Sequence, residues 1–166
     1  MEHIRDLIRD REVYSVDPGR SVLDTVRYMV ARNIGAVAVV QGDELVGIFT
    51  ERDLMKRVVS HGLDVATTMV RMVMTRDPKT VSLDDKIVEC TILMKENNFR
   101  HLPICDGKSL KGILSLRDLI LHEMQEKHVE VEAMRAYISS QASSISSQLI
   151  AISFQFLGKL AFEGAP

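Results

Sequence analysis

Several features that would point to particular functions are scarce or missing in this chain. Its 166 residues include 21 basic and 23 acidic side chains, for a net charge of −2, so it lacks the basic footprint of a nucleic-acid-binding protein. The only cysteines, Cys90 and Cys105, predict neither a disulfide framework nor a metal-binding set. No Ser/His/Asp, Cys/His or paired-carboxylate arrangement stands out. We therefore expect neither an enzyme nor a nucleic-acid partner, and no required metal.

Long apolar runs are also missing. No stretch is apolar over the ~18 residues that a membrane-spanning helix requires, and the N-terminal residues 1–6 have no apolar signal core. The apolar content of 46% is nevertheless enough to bury a core. These observations predict a cytoplasmic protein with reduced cysteines and no transmembrane segment, folded as one compact domain or two small ones.

An internal duplication is the most informative feature that is present. Residues 47–54 (GIFTERDL) and 112–119 (GILSLRDL) follow one pattern and lie 65 residues apart. Shifting the chain by that distance aligns the surrounding residues without a gap, for example Asn33 with Asn98. The two copies span roughly residues 13–59 and 78–124. Two copies are too few for a solenoid, and they suit two halves packed around a pseudo-two-fold axis with clefts between them.

Apolar periodicity and turn residues predict the order β-α-β-β-α in each copy. In the first copy the predicted elements are a strand at Val13–Val16, a helix from Ser21 to Asn33, strands at Gly35–Val40 and Leu45–Phe49, and a helix from Thr50 to Val59. In the second they are a strand at Thr80–Val81, a helix capped by Ser82 and Asp85, strands at Leu102–Cys105 and Leu110–Leu114, and a helix from Ser115. Pro103 has no amide donor, which predicts a sheet edge or a bulge there.

The remaining segments complete the predicted organisation. The predicted divisions are 1–62 (first motif with an N-terminal helix at 2–11), 63–77 (a connector with a helical turn near Met69, Val73 and Met74), 78–124 (second motif) and 125–166 (a C-terminal amphipathic helix). In the tail, apolar residues recur in a coiled-coil-like seam at Ile138, Ala142, Ile145, Leu149, Ile152 and Phe156. We expect residues 134–162 to contact a protein partner, first of all the same helix of a second copy. A membrane is disfavoured because Lys159 is the only basic residue between Tyr137 and Phe162.

The repeated motif has two interpretations. Ser/Thr-x-x-Asp is a helix-capping pattern, so Thr50 and Asp53 could serve only to start a helix. However, both copies keep an arginine, Arg52 or Arg117, at a position where capping has no use for one. A helix N-terminus also attracts anions, a carboxylate can bind a ribose diol, and arginine can bind phosphate. The residues alone leave both interpretations open.

The whole repeated unit, ending in Gly-Ile-x-Thr/Ser-x-Arg-Asp-Leu, resembles a CBS domain, the module first described in cystathionine β-synthase. The tandem, over about residues 3–124, resembles a CBS pair or Bateman module. The resemblance implies an α+β fold with two β-α-β-β-α motifs around a pseudo-two-fold axis. It also implies a non-catalytic sensor that binds AMP, ADP, ATP, NAD or S-adenosylmethionine in two clefts, and a homodimer.

The resemblance further implies roles for individual residues. Asp53 and Asp118 would bind the ribose hydroxyls. The other implied site residues are Thr50 and Ser115 at ribose or phosphate, Ser15, Thr80, Ala36 and Leu102 around the base, Ile48 and Ile113 lining it, and Arg52, Arg117, Arg100 and His101 as basic or donor groups. Because the first copy has Gly35-Ala36 where the second has Arg100-His101, we expect unequal clefts. The Asp53 cleft would then have Arg52 as its basic residue, with Lys56 or Arg57 in reach. We therefore expect the Asp118 cleft to bind phosphorylated nucleotides more tightly.

Two alternatives to these roles stay open. His101 could equally be a satisfied histidine at a strand end without a ligand. At the level of the whole chain, the rival interpretation is a constitutive assembly protein that acts through its C-terminal helix and binds nothing in the clefts.

Overall fold

The computed structural model describes residues 3–8 and 11–163, with side chains up to residue 150 except Ser144 and Ser147. The elements are α1 (Ile4–Leu7), β1 (Ser15–Val16), α2 (Val22–Arg32), β2 (Ala36–Gln41), β3 (Glu44–Thr50), α3 (Glu51–Asp53, continued by Leu54–Val58 and Val59–His61), α4 (Val70–Val73), β4 (Thr75–Arg76), α5 (Ile87–Asn97), β5 (His101–Asp106), β6 (Ser109–Ser115) and α6 (Leu116–Glu163). The predicted mixed α+β fold with two repeated motifs and a long C-terminal helix is confirmed.

The first copy forms for the reasons that its sequence suggests. The Ser21 hydroxyl accepts a hydrogen bond from the Asp24 amide at 3.1 Å, which caps α2. The helix ends at Asn33, whose φ of 53° lies in the left-handed region that asparagine tolerates. β2 and β3 then form an antiparallel hairpin in which Ala36 lies opposite Thr50. Thr50 is thereby fixed at the end of a buried strand and at the start of the next helix.

The second copy repeats these relationships at the offset of the sequence repeat. The parallel pairing of Val16 with Val39 recurs as a single bridge between Val81 and Ile104. Asn98 ends α5 with a φ of 54°, as Asn33 ends α2. All strands belong to one sheet of order β1-β2-β3-β6-β5, with β4 beside β3. Pro103 lies in β5, the last strand of that order, which also meets Val81 through the single bridge, and a register shift follows between Ile104 and Cys105.

The predicted cap of the second copy is wrong. The amide and hydroxyl of Ser82 donate to the Asp85 carboxylate at 2.9 and 3.2 Å and form a turn, but α5 begins after Lys86. Lys86 is the residue that corresponds to Ser21 in the repeat. The duplicated capping serine has therefore been replaced, and the pattern at Ser82 and Asp85 is not equivalent to the one in the first copy.

Five other features differ from the predictions. The helix predicted at 2–11 is described only at Ile4–Leu7, and no strand includes Thr80. The helix after Thr50 is α-helical for one turn, then has i→i+5 hydrogen bonding at Leu54–Val58, a feature that often accompanies functional sites. The connector contains an unpredicted strand, β4, opposite Gly47 and Ile48 of β3. The helix after Ser115 runs without a break into the predicted tail helix.

Each copy has its own core, completed by a short helix from elsewhere in the chain. Phe49 is fully buried in the first core, together with Val70 and Val73 of α4. The second core contains Leu114 and, from α1, the fully buried Ile4. The Ile4 amide donates to the Asp85 carbonyl at 3.1 Å. The N-terminal helix therefore packs with the second copy, and the connector helix packs with the first.

The contacts divide the chain into two units, Met1–Leu121 and His122–Pro166. The first unit contains both cores and the whole sheet. In the second unit, every described side chain from Glu123 to Ile150 is exposed, including Ile138, Ile145 and Leu149 of the predicted seam. Ile152 and Phe156 lie outside the described side chains. Over the described part of the chain, no helix has the length and apolarity needed to cross a bilayer.

Candidate functional site

The first unit contains two clefts that we name after the motif carboxylate in each. The Asp53 cleft has a volume of about 450 Å³ and the Asp118 cleft about 780 Å³. The Asp53 cleft is lined by Ile48, Thr50, Glu51, Arg52, Lys56, Arg57, Thr75, Asp77, Lys79 and the segment 98–102, among others. The Asp118 cleft is lined by Arg11, Glu12, Tyr14, the segment 33–36, Arg100, His101, Ile113 and residues 115–118, among others.

Each cleft combines parts of both copies. Asp53 of the first copy shares its cleft with the segment 98–102 of the second, ahead of β5. Asp118 of the second copy shares its cleft with the segment 33–36 of the first, ahead of β2. Within each copy, a backbone hydrogen bond joins the start of the motif helix to the residue before the hairpin, from Glu51 to the Gly35 carbonyl at 3.1 Å and from Leu116 to the Arg100 carbonyl at 2.8 Å. Neither copy forms a complete cleft by itself.

Most of the residues singled out in the sequence lie in the clefts. The Asp53 cleft contains Ile48, Thr50, Arg52, Asp53 and Leu102, the Asp118 cleft contains Ala36, Ile113, Ser115, Arg117 and Asp118, and both contain Arg100 and His101. Ser15 and Thr80 line neither cleft, whereas the preceding residues, Tyr14 and Lys79, do. Arg11 was missed because it precedes the predicted first strand.

The Asp53 carboxylate is both a helix cap and a buried acceptor. Its Oδ2 accepts hydrogen bonds from the Thr50 amide at 3.0 Å and the Thr50 hydroxyl at 2.7 Å, and the Asp53 amide donates back to that hydroxyl. Its Oδ1 lies 3.4 Å from Nε of Arg57. Asp53 is only 8% exposed. Because an ionised carboxylate has about four lone-pair directions, the cap leaves acceptor capacity for a further donor.

The Asp118 carboxylate has the same local geometry but a different partner. Its Oδ2 accepts from the Ser115 amide at 2.9 Å and the Ser115 hydroxyl at 2.5 Å. Its Oδ1 lies 2.7 Å from Nη1 of Arg11, which comes from the segment before the first copy. Burial raises the pKa of Asp118, but the hydrogen bonds from Ser115 and Arg11 outweigh it and hold that pKa below its ordinary value. Asp118 is therefore ionised at neutral pH.

His101 lies where the two clefts approach one another. A Cβ atom added at Gly35 would lie 3.5 Å from Cε1 of His101 and 3.3 Å from Oε2 of Glu51. Burial lowers the pKa of His101, and the neighbouring Glu51 and Asp118 carboxylates oppose that effect only in part. The side chain is thus neutral at pH 7. Within residues 3–8 and 11–163, no three His, Cys, Asp or Glu side chains are grouped so as to hold a metal ion.

The basic residues of the clefts are not distributed as expected when the Asp118 cleft was predicted to bind phosphorylated nucleotides more tightly. Arg100 and His101 line both clefts, so they do not distinguish the Asp118 cleft. The Asp53 cleft has five cationic side chains (Arg52, Lys56, Arg57, Lys79 and Arg100) and three carboxylates (Glu51, Asp53 and Asp77). The Asp118 cleft has three cationic side chains (Arg11, Arg100 and Arg117) and two carboxylates (Glu12 and Asp118). The larger cationic set therefore accompanies Asp53.

Comparisons with known proteins agree with this architecture. The family model for the CBS domain matches residues 4–60 and 70–124. A CBS domain-containing mitochondrial protein of Arabidopsis thaliana, CBSX3, is 33% identical over 123 residues, which is 71% of this chain and 60% of that protein. An uncharacterised protein of Acidianus ambivalens is 36% identical over 126 residues, which is 71% of this chain and 74% of that protein. This chain thus spans well under the full length of some curated relatives, and only 20% of the CBSCBSPB1 protein of Arabidopsis thaliana.

Solved structures show the same fold. The CBS-domain containing protein ATU1752 from Agrobacterium tumefaciens is 30% identical and superposes with a TM-score of 0.68. That match covers 74% of this chain and 99% of the other.

Proposed function

Because the chain belongs to the CBS-domain family, with one CBS domain in each half, we propose that it is a regulatory module that binds an adenine nucleotide in its clefts. CBS-domain proteins are generally regulatory modules. The proposed ligands are AMP, ADP, ATP or NAD, bound without a metal and without catalysis. We also propose a cytoplasmic location and a homodimer.

The observation that carries this proposal is the pairing of a largely buried carboxylate with cationic side chains in each cleft. Asp53 and Asp118 keep acceptor capacity that suits the vicinal hydroxyls of a ribose. The cationic side chains, such as Arg100, suit the phosphate. The apolar side chains of Ile48 and Ile113 offer a surface for a flat base. A ligand with a diol, an anion and a flat ring uses all of these groups at once.

The test begins with purified protein that is denatured, and its supernatant is assayed for adenine nucleotides. Ligand-free protein is then titrated with AMP, ADP, ATP, NAD and GMP in calorimetry and in thermal-shift assays. A ligand of the folded state stabilises it by about 2.7 kcal/mol at a hundredfold excess over Kd, so at least one adenine compound should raise the melting temperature by several degrees. GMP should raise it less. A flat response to all adenine compounds would overturn the proposal.

We propose that the Asp53 cleft binds phosphorylated nucleotides more tightly than the Asp118 cleft. Its five cationic side chains, against three in the Asp118 cleft, support this order. Asp53→Ala should remove the high-affinity phase in calorimetry, and Asp118→Ala should spare it. Because each substitution also removes a helix cap, at a cost of about 1 kcal/mol, melting temperature and affinity are measured together. The reverse assignment of the two phases would contradict the proposed order.

A second function is supported by the exposed apolar side chains of α6, such as Ile138, Ile145 and Leu149. Apolar surface of this extent marks interaction sites. The rival proposal is a constitutive assembly protein that works through residues 134–162. It requires that no adenine compound bind, so the titrations above distinguish it from the sensor.

A further inference from the structure

The two motif carboxylates are paired with arginines of different origin. Asp53 is paired with Arg57 from the helix that it caps, and Arg57 is held in place by a second hydrogen bond to the Val73 carbonyl at 3.0 Å. Asp118 is paired with Arg11, from the segment that precedes the first copy. In the repeat, His122 corresponds to Arg57 and Arg76 corresponds to Arg11. Arg76 instead donates from Nη2 to the Arg71 carbonyl at 3.3 Å, and Asp53 is paired with Arg57, so the equivalent residues do not repeat the Arg11–Asp118 pair.

Arg11 is positioned by the second copy. Its amide donates to the Ile8 carbonyl at 3.1 Å, and the preceding helix α1 is joined to the second copy by hydrogen bonds from Ile4 to Asp85 and from Arg5 to Leu83. The buried Ile4 adds an apolar anchor in the second core. The guanidinium of Arg11 thus reaches Asp118 from a fixed base, although its own side chain is 44% exposed.

The position of Arg11 has different consequences for charged and neutral ligands. Its guanidinium binds Oδ1 of Asp118 at 2.7 Å, while Ser115 binds Oδ2, so both carboxylate oxygens already have donors. A ribose that binds Asp118 must share or replace the Arg11 contact. A nucleoside without phosphate that replaces this contact leaves the guanidinium to water instead of an anion, because the Arg11 side chain is 44% exposed. A phosphate restores one, and guanidinium binds phosphate with two parallel hydrogen bonds.

We propose that Arg11 makes the Asp118 cleft selective for phosphorylated nucleosides, by exchanging the Asp118 carboxylate for the phosphate of the ligand. This inference rests on the proposed function, since it assigns a selectivity to one of the proposed clefts. It assigns to the segment before the first CBS domain a role in recognition. It also means that a nucleotide and the Asp118 carboxylate compete for the same guanidinium.

The test compares AMP with adenosine in calorimetry. An Asp53→Ala background, which removes the acceptor of the other cleft, confines the measurement to the Asp118 cleft, and the same titrations are repeated in the wild-type background. Arg11→Ala and Arg11→Gln should each weaken AMP by about tenfold or more, the factor for one hydrogen bond to a charged group. The affinity for adenosine should be unchanged or higher, and Arg11→Lys should restore part of the preference for AMP.

Arg5→Ala is the matched control. It removes an arginine from the same N-terminal segment, but one that pairs with Asp84 on the surface and lies in neither cleft, so it should leave the ratio of the two affinities unchanged. Equal weakening of AMP and adenosine by Arg11→Ala, or an unchanged ratio, would overturn the role of Arg11 and leave nucleotide binding in place. If neither probe binds any of these proteins, this inference is overturned, and the proposed function is overturned as well if ADP, ATP and NAD also fail to bind.

Discussion

The Arg52 guanidinium donates a hydrogen bond from Nη1 to the Asn98 carbonyl at 3.0 Å, across 46 residues of sequence. Asn98 ends α5 of the second copy in the left-handed conformation, where backbone carbonyls lack helical partners. Arg52 belongs to the motif that starts the helix of the first copy. The bond therefore joins the two copies, so the arginine of the first motif has a structural use in addition to lining the Asp53 cleft.

Arg52→Ala should consequently destabilise the protein without any ligand present. The loss of one exposed hydrogen bond predicts a decrease of about 0.5–1 kcal/mol in the free energy of unfolding, measured by urea denaturation. Arg27→Ala removes an exposed arginine that pairs only with Asp24 on its own helix, and should have a smaller effect. Equal stability of the Arg52→Ala and wild-type proteins would mean that the bond to Asn98 contributes nothing in solution.

The glycines of the two motifs are predicted to differ sharply in tolerance. A Cβ atom at Gly47 would lie 2.5 Å from Met74 Sδ and 2.9 Å from the Thr75 carbonyl oxygen, because β4 packs directly against β3 there. A Cβ atom at Gly112 would meet only side-chain ends, the nearest being Ile8 Cδ1 at 3.3 Å. Gly47→Ala should therefore cost about 1–3 kcal/mol through overpacking.

Gly112→Ala is the matched substitution in the other copy, and it should cost clearly less because the Ile8 side chain can move. Chemical denaturation of both variants measures the difference. Similar losses at the two glycines would show that the close approach of β4 to β3 is not what requires Gly47.

The stability of the protein should decrease as the pH is lowered, and part of this decrease should depend on His101. Its pKa in the folded protein is below the unfolded value of about 6.5, so below that pH the unfolded chain takes up a proton that the folded chain resists. The contribution of His101 to stability is therefore lost as the pH falls through about 6.5. His101→Gln removes the titrating group and should become more stable relative to wild type between pH 7 and pH 5.

The measurement is the melting temperature of both proteins across this range, without ligand. The difference between them should be constant above pH 7 and should change below about pH 6.5. A constant difference over the whole range would contradict the inference that burial keeps His101 neutral.

Much of this architecture could be predicted from the duplication, and the parts that could not have identifiable reasons. The repeat identifies Asp53 and Asp118 as equivalent, but it does not say which segment of the other copy faces each of them. That pairing depends on how the copies pack, so the placement of Arg100 beside Asp53 could not be predicted. Tyr14 and Lys79 correspond to each other in the repeat and line the clefts, but the prediction named the next residue in each copy, Ser15 and Thr80. The irregular helix at Leu54–Val58 has no pattern in its sequence that distinguishes it from an α-helix.

The tail prediction from the sequence is still open and can be tested by truncation after His128. The last described residues of the Asp118 cleft, Ile120 and Leu121, remain in that variant, so nucleotide affinity should be unchanged. The mass measured by light scattering, or the solubility, should change, because the exposed apolar side chains of α6 are removed.

A matched comparison keeps the chain at full length. Serine substitutions at Ile138, Ile145 and Leu149 should change the mass as truncation does, whereas alanine substitutions at Ser140 and Ser143, on the opposite face of the helix, should not. An unchanged mass in a well-behaved truncated protein would rule out self-association through the tail.

The packing of α1 against the second core has a consequence for the order in which the chain matures during synthesis. The first core can be completed once Val70 and Val73 of α4 have emerged from the ribosome. Ile4, although it is synthesised before the residues of the first core, can be buried only after Leu114 and Leu119 have followed. The apolar side chains of the N-terminal segment therefore stay exposed to solvent until almost all of the first unit has been translated. A nascent chain stalled between the two copies would contain a folded first core and an N-terminal segment whose packing partners have not yet been synthesised.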